Sequence, residues 1–222
     1  MSKLHIVPNG ITLDEWTGAA EALNADLAAH LTLLRASGRV VLGYAGSHGL
    51  PNALDVLLDA AKLLAATPEG KRIAIVMVGG GHEKARLAER VRSEGLSSLV
   101  SLFDPIPKAQ IPALLGLFDI AYIGWQRSSI YRFGIAPNKL MDYMMAGCAV
   151  LHSVKAGNDP VAEAGAGLTV APEDATAVAQ GALQLAALSA QARAEMGQRG
   201  RAFVLAQHTY PVLAARFIEA VT

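Results

Sequence analysis

Arg72-Ile73-Ala74-Ile75-Val76-Met77-Val78-Gly79-Gly80-Gly81-His82 is the stretch that decides the fold. An apolar run this short, with no polar alternation and glycines at its end, reads as a strand buried on both faces. The glycines then release the chain into a charged helix, read over His82–Ser93. The same unit occurs upstream: Arg39–Ala45 reads as a buried strand, and the helix after it carries Leu54, Leu57, Leu58 and Ala61 on one face. Asn52 is placed to cap that helix, with Asp55, Asp59 and Lys62 on its opposite side. Upstream again, a short strand is read at Leu4–Val7 and a helical stretch from about Asp14 to Arg35. Downstream come strands at Leu99–Phe103, Phe118–Ile123, Cys148–His152 and Leu168–Val170. Helices fall at Ala109–Leu117 and from Asn138 to Met145, and an alanine-rich helical remainder begins at Pro172. Strands alternating with helices at this spacing imply right-handed βαβ units and a parallel, doubly wound α/β sheet of about six strands.

The bulk properties agree. The chain has 222 residues, 52% of them hydrophobic and 17% charged, which suits a sheet covered on both faces. Nineteen basic and nineteen acidic residues cancel, and no basic stripe is present, so nucleic acid is excluded as an expected partner. Cys148 is the one cysteine, which rules out an internal disulfide and reads as a small buried hydrophobe. No apolar run reaches the ~20 residues of a membrane span, and residues 1–10 lack a secretion-signal pattern, so a cytoplasmic compartment is expected.

In a doubly wound sheet the ligand sits beyond the carboxyl ends of the strands, which selects loops 46–52, 79–82, 103–107, 124–138 and 153–159. In Gly43-Tyr44-Ala45-Gly46-Ser47-His48-Gly49, glycines permit close approach and the following helix offers N–H groups to an anion. The spacing departs from the dinucleotide fingerprint, and no acidic residue closes the next strand at Val78. A Walker A lysine pattern is absent. Further on, Gly134 and Pro137 shape a loop that enters a helix starting with Asn138 and Lys139. Free N–H groups, the helix dipole and a lysine converge there on one anion. Asp142 follows one turn later, where a carboxylate can accept from two vicinal hydroxyls such as those of a ribose. A Lys139–Asp142 ion pair across the turn is an equally good reading of that spacing.

The order of these pieces resembles the C-terminal domain of retaining glycosyltransferases of family 4, which have the two-Rossmann GT-B architecture. Val7-Pro8-Asn9-Gly10 is similar to their interdomain link and Tyr44-Ala45-Gly46 to their first phosphate loop. Met77-Val78-Gly79-Gly80-Gly81 is similar to the donor-sugar loop. The most specific match is Pro137-Asn138-Lys139-Leu140-Met141-Asp142-Tyr143-Met144 followed by Ala146-Gly147, which resembles the branch that builds bacterial O-antigen and capsule. The resemblance implies phosphate contacts from Gly46, Ser47, His48, Gly49, Asn138 and Lys139, with Arg132 either a further positive charge or an exposed, unpaired residue. It also implies donor-sugar contacts from Gly80 and Gly81 and ribose contact from Asp142. Two departures stand out. Many members carry two glutamates eight positions apart, and Gly134 replaces the first while Asp142 takes the place of the second. Many also carry arginine and lysine in the first loop, where this chain has Ser47, His48 and Asn52.

The remaining histidines show no ligand spacing and no Asp-x-Asp motif occurs, so neither a metal nor a cofactor is expected, and Trp16 and Trp125 read as packing anchors. On this reading residues 1–222 are one donor-binding domain. With an N-terminal half it transfers sugar, with retention, from a UDP-sugar to a saccharide or polyprenyl-linked acceptor; alone it binds without turnover. In the full-length enzyme the site lies at the inner face of the cell membrane. A GT-B sugar-nucleotide epimerase is disfavoured because the loops offer few acid or base groups. A standalone nucleotide-binding or regulatory module is the other alternative.

Overall fold

The computed structural model describes residues 6–18 and 20–221. Its centre is a six-stranded, wholly parallel sheet of β1 (Val40–Ala45), β2 (Ile73–Val78), β3 (Val100–Phe103), β4 (Ile120–Gly124), β5 (Ala149–Ser153) and β6 (Gly167–Thr169). The spatial order is β3-β2-β1-β4-β5-β6, so the winding reverses between β1 and β4. In sheets of this kind ligands bind at that reversal, beyond the carboxyl ends of the two strands.

Strand side chains alternate between two cores, one on each face. Leu42, Tyr44, Ile75, Met77, Ile120 and Tyr122 meet α3 (Leu54–Ala65), α4 (Lys84–Ser93) and α8 (Ala175–Ala187). Val41, Ala45, Val76, Val78, Ala121 and Ile123 face α2 (Ala25–Ala36), α5 (Ile111–Leu115), α6 (Asn138–Met145), α7 (Pro160–Ala164) and α9 (Ala190–Gln207). Gly43 is required in β1, because a Cβ there would lie 2.1 Å from the Phe118 ring. Cys148 is buried, its thiol directed at the Leu115 carbonyl and pushed up to about 12 by desolvation. On the side of α3 away from the core, Asp55 and Asp59 meet Arg90 of α4 at 2.5 and 2.7 Å, which ties the two helices together.

Three local expectations change. The helical stretch over 14–35 is two elements, α1 (Asp14–Thr17) and α2. Gly18 takes extended backbone, and the Asn24 side chain accepts from Leu27 N–H to start a fresh helix. Asn52 caps nothing: it closes a 3-10 turn, Leu50–Asn52, and α3 begins after Ala53 in left-handed backbone (φ 47°). Of the strand expected at Leu4–Val7, Leu4 and His5 lie outside the described residues, and Ile6 and Val7 are not in a strand. The chain instead joins the fold at Ile11, whose N–H bonds the His208 carbonyl beside the start of α10 (Tyr210–Val221). Among the described residues no helix is long and apolar enough to cross a membrane.

Candidate functional site

The loops after β1 and β2 are knitted to each other by backbone bonds. Gly46 N–H donates to Val78, His48 N–H to Gly80 at 2.7 Å, and Glu83 N–H to the His48 carbonyl. Contact is so close that a Cβ on Gly79 (φ 153°) would stand 1.8 Å from the Gly46 carbonyl oxygen. Only glycine fits there. The crossing leaves Ser47, Gly49, Gly80 and Gly81 with backbone N–H groups that donate to no acceptor among the described residues.

Helix α6 closes the site from the β4 side. Tyr143 fixes it in place by exchanging hydrogen bonds with Ala45, accepting from its N–H at 2.9 Å and donating to its carbonyl at 3.1 Å. That bond sets the first turn of α6 at the end of β1, with the N–H groups of Asn138 and Lys139 unused. The Lys139 ammonium donates to Tyr44 Oη and Asn52 Oδ1, both at 2.9 Å, and stands 4.4 Å from the centroid of the Tyr44 ring. Tyr44 Oη and Asn52 Nδ2 in turn donate to the Ser47 carbonyl. Lys139 is thus packed against Gly46, with a positive charge held inside the loop by neutral partners only. Burial lowers it from the ordinary lysine value to about 8. A desolvated cation beside open N–H groups has the chemistry to receive an anion.

The structure therefore brings Gly46, Ser47, Gly49, Gly80, Gly81, Asn138 and Lys139 to one edge of the sheet, at its topological switch point. His48 is different. Its N–H is committed to Gly80, and its ring is fully buried with neither nitrogen hydrogen-bonded. Desolvation, helped by Lys84 and Lys139, holds the imidazole down at about 4, so it supplies no charge near neutral pH and serves as the filling of the loop. Arg132 is exposed, lies over the Phe133 ring and lines another cavity with Arg127 and Lys155.

Asp142 makes no ion pair with Lys139, so pairing across the helix turn is not what holds it. It opens instead onto a cavity of about 420 Å³ with Trp16, Lys108 and Ile111 among its walls. Burial raises its carboxyl to about 6, against a partial offset from Lys108. Glu15 of α1 bridges Lys108 at 2.6 Å on the cavity's rim. Trp125 packs on Tyr131 at 5.0 Å, an anchor of the long loop as expected. What the sequence did not single out for the site are the Tyr44 side chain, named only as part of the first loop, and Lys108. Tyr44 sits in an apolar strand run and Lys108 in a turn, and neither context marks a partner from a distant element.

A family model described as glycosyl transferases group 1 matches residues 39–187. No curated protein matches the sequence. The fold is similar to that of sucrose-phosphate synthase from Thermosynechococcus elongatus (TM-score 0.74, 20% identity, 98% of this chain and 51% of that one). It is also similar to Anabaena HepE solved with UDP and glucose (TM-score 0.70, 15% identity, 96% and 55%). A third likeness is to WaaG, a glycosyltransferase involved in lipopolysaccharide biosynthesis (TM-score 0.69, 18% identity, 96% and 55%). The chain thus spans about half the length of each of these structures. With a match over most of its length and the six-stranded Rossmann-like sheet of GT-B enzymes, the chain belongs to the group 1 glycosyl transferases.

Proposed function

We propose that this chain is the donor-binding half of a retaining family 4 glycosyltransferase, moving a sugar from a UDP-sugar to a lipid-linked or saccharide acceptor in surface polysaccharide synthesis. The observation that carries this reading is Lys139, desolvated between Tyr44 and Asn52 amid unused N–H groups from three elements. Breaking the bond between sugar and diphosphate places growing negative charge on the diphosphate. Donors that are already oriented stabilise that charge without reorganising. Ser47, Gly49, Asn138 and Lys139 hold the phosphates, Gly80 and Gly81 border the donor sugar, and Asp142 accepts from the ribose hydroxyls in the adjoining cavity. UDP as the nucleotide is supported by the fold's likeness to HepE, which was solved with UDP and glucose.

The residues at the site supply no general base, which is consistent with an acceptor side built by a second domain. The 222-residue chain then binds donor without completing transfer, and the whole enzyme works in the cytoplasm, peripheral to the inner face of the membrane. Calorimetric titration with UDP tests the reading. Binding should occur, Lys139→Met should weaken it about tenfold or more, and the chain given a UDP-sugar and an acceptor in place of UDP should transfer no sugar. Absence of UDP binding, or equal binding by the Lys139→Met variant, would refute the site.

A further inference from the structure

A second cavity opens at the same edge of the sheet, beyond β4 and β5, with a volume of about 490 Å³. Arg127, Arg132 and Lys155 line it together with Ser128, Ser129 and Gly157. No carboxylate is in its wall. The nearby Glu173 is engaged by Arg127, through the Arg127 N–H at 3.1 Å and the guanidinium at 3.6 Å. Among the described residues Arg132 and Lys155 make no ion pair, and the Ser128 and Ser129 hydroxyls donate to no acceptor.

This arrangement is built rather than accidental, because two loops distant in sequence are zipped to make it. Asn158 accepts from Ile135 N–H at 2.7 Å and donates to the Ile135 carbonyl at 3.0 Å. Gly157 N–H donates to Tyr131 at 2.8 Å, and a Cβ on Gly157 would meet the Arg132 carbonyl at 2.2 Å. The zipper draws Lys155 to Arg132. Beside the charges, the 3-10 turn Ser129–Phe133 presents Ile130 and Phe133, 65% and 72% exposed. Two large apolar side chains on that turn, beside a cavity lined by cations and serine hydroxyls from both loops, suit a ligand that joins an oxyanion to a hydrocarbon.

We propose that this cavity binds the diphosphate of a lipid-linked acceptor, with Arg132, Lys155 and the two serine hydroxyls on the anion and Ile130 and Phe133 against the first part of the lipid chain. The donor half thereby contributes an acceptor subsite of its own. Assigning the anion to the acceptor rests on the donor reading above; the anion site does not.

The test uses the 222-residue chain saturated with UDP, titrated with inorganic pyrophosphate and with geranyl diphosphate. Pyrophosphate should still bind, and Arg132→Ser combined with Lys155→Ser should weaken it by about tenfold or more while UDP affinity is kept, which also reports an intact fold. Geranyl diphosphate should bind at least about fivefold more tightly than pyrophosphate, and Ile130→Ser with Phe133→Ser should erase that advantage. Lys139→Met, which removes the donor-site charge, should leave pyrophosphate binding here in place, so failure of the donor reading and failure of this one are told apart. The proposal is overturned if UDP displaces all bound pyrophosphate or if the charge variant binds it equally. It is also overturned if the prenyl chain adds nothing, or if only anionic phosphatidylglycerol vesicles bind, which would make the patch a membrane contact.

Discussion

Replacing Lys139 with Met should make the free protein more stable while making it a poorer nucleotide binder. The ammonium sits desolvated between Tyr44 and Asn52, with no carboxylate to balance it. Burial lowers its proton affinity from the ordinary 10.5 to about 8. At about 1.4 kcal/mol per tenfold change, keeping the charge in the folded chain costs roughly 3 kcal/mol at pH 7. Methionine fills the same stem volume without charge, but forfeits two hydrogen bonds worth ~1 kcal/mol each, so the expected net gain is about 1 kcal/mol. The sign with pH follows. Below pH 8 lysine is charged in both folded and unfolded chains and the full cost is present. Between pH 8 and 10.5 the unfolded chain holds more protons, so rising pH relieves the cost and the wild type catches up with the variant. Urea unfolding of both proteins at pH 7 and pH 10, without ligand and with saturating UDP, measures this. UDP should reverse the order at pH 7, because the anion neutralises the buried ammonium and stabilises only the protein that binds it. If Lys139→Met is less stable than wild type at pH 7, or if the difference between them is the same at both pH values, the picture of an unbalanced buried cation is wrong.

Asp142 should discriminate sugar from phosphate: UDP should bind about tenfold more tightly than its 2′,3′-dideoxy analogue at pH 7.5, and Asp142→Ala should abolish the difference in calorimetry. Since burial raises this carboxyl to about 6, the preference should fade as pH drops through 6 and the acceptor loses its charge. His48 is neutral when folded, so the unfolded chain binds a proton between pH 6.5 and about 4 that the folded chain does not. Stability present above pH 6.5 should therefore be lost on acidification, by roughly 2–3 kcal/mol at pH 4, and His48→Phe should remove that part of the acid limb in denaturant melts. Gly79→Ala should destabilise by about 1–3 kcal/mol and abolish UDP binding, because a Cβ there would stand 1.8 Å from the Gly46 oxygen. Gly38→Ala, also at positive φ but in open space, should cost only about 1 kcal/mol, and thermal melts of the two would separate collision from backbone strain.

Much of the fold was legible because its strongest signals are local. β1 and β2 are buried on both faces and read as unbroken apolar runs, so their boundaries fall within a residue of those expected. The ends that moved did so for reasons carried by single residues. Gly18 and Asn24 divide a stretch whose apolar spacing suits one helix, and the spacing does not record that the Asn24 side chain competes for Leu27 N–H. Likewise Ala53 in left-handed backbone displaces the start of α3 beyond Asn52, although alanine carries no signal for that conformation.

The site was legible in its parts and not in its pairing. Glycines after strands and a Lys at a helix start mark anion-ready backbone from sequence, because their value lies in the chain's own N–H groups. Which side chain completes the loop depends on contacts across 87 and 95 positions, Lys139 to Asn52 and Lys139 to Tyr44, and no periodicity encodes those. The same gap hid the fate of His48. A histidine between glycines looks like a charge offered to phosphate, yet the crossing at Gly79 and Gly46 seals it inside and keeps it neutral. Position along the chain names a residue as near a ligand. Only packing decides whether it meets that ligand or props up the residue that does, and here the desolvation that lowers both His48 and Lys139 leaves just one of them, Lys139, protonated at neutral pH. On the proposed reading, that asymmetry puts the charge that meets phosphate on α6 rather than on the glycine loop, which would contribute N–H groups alone.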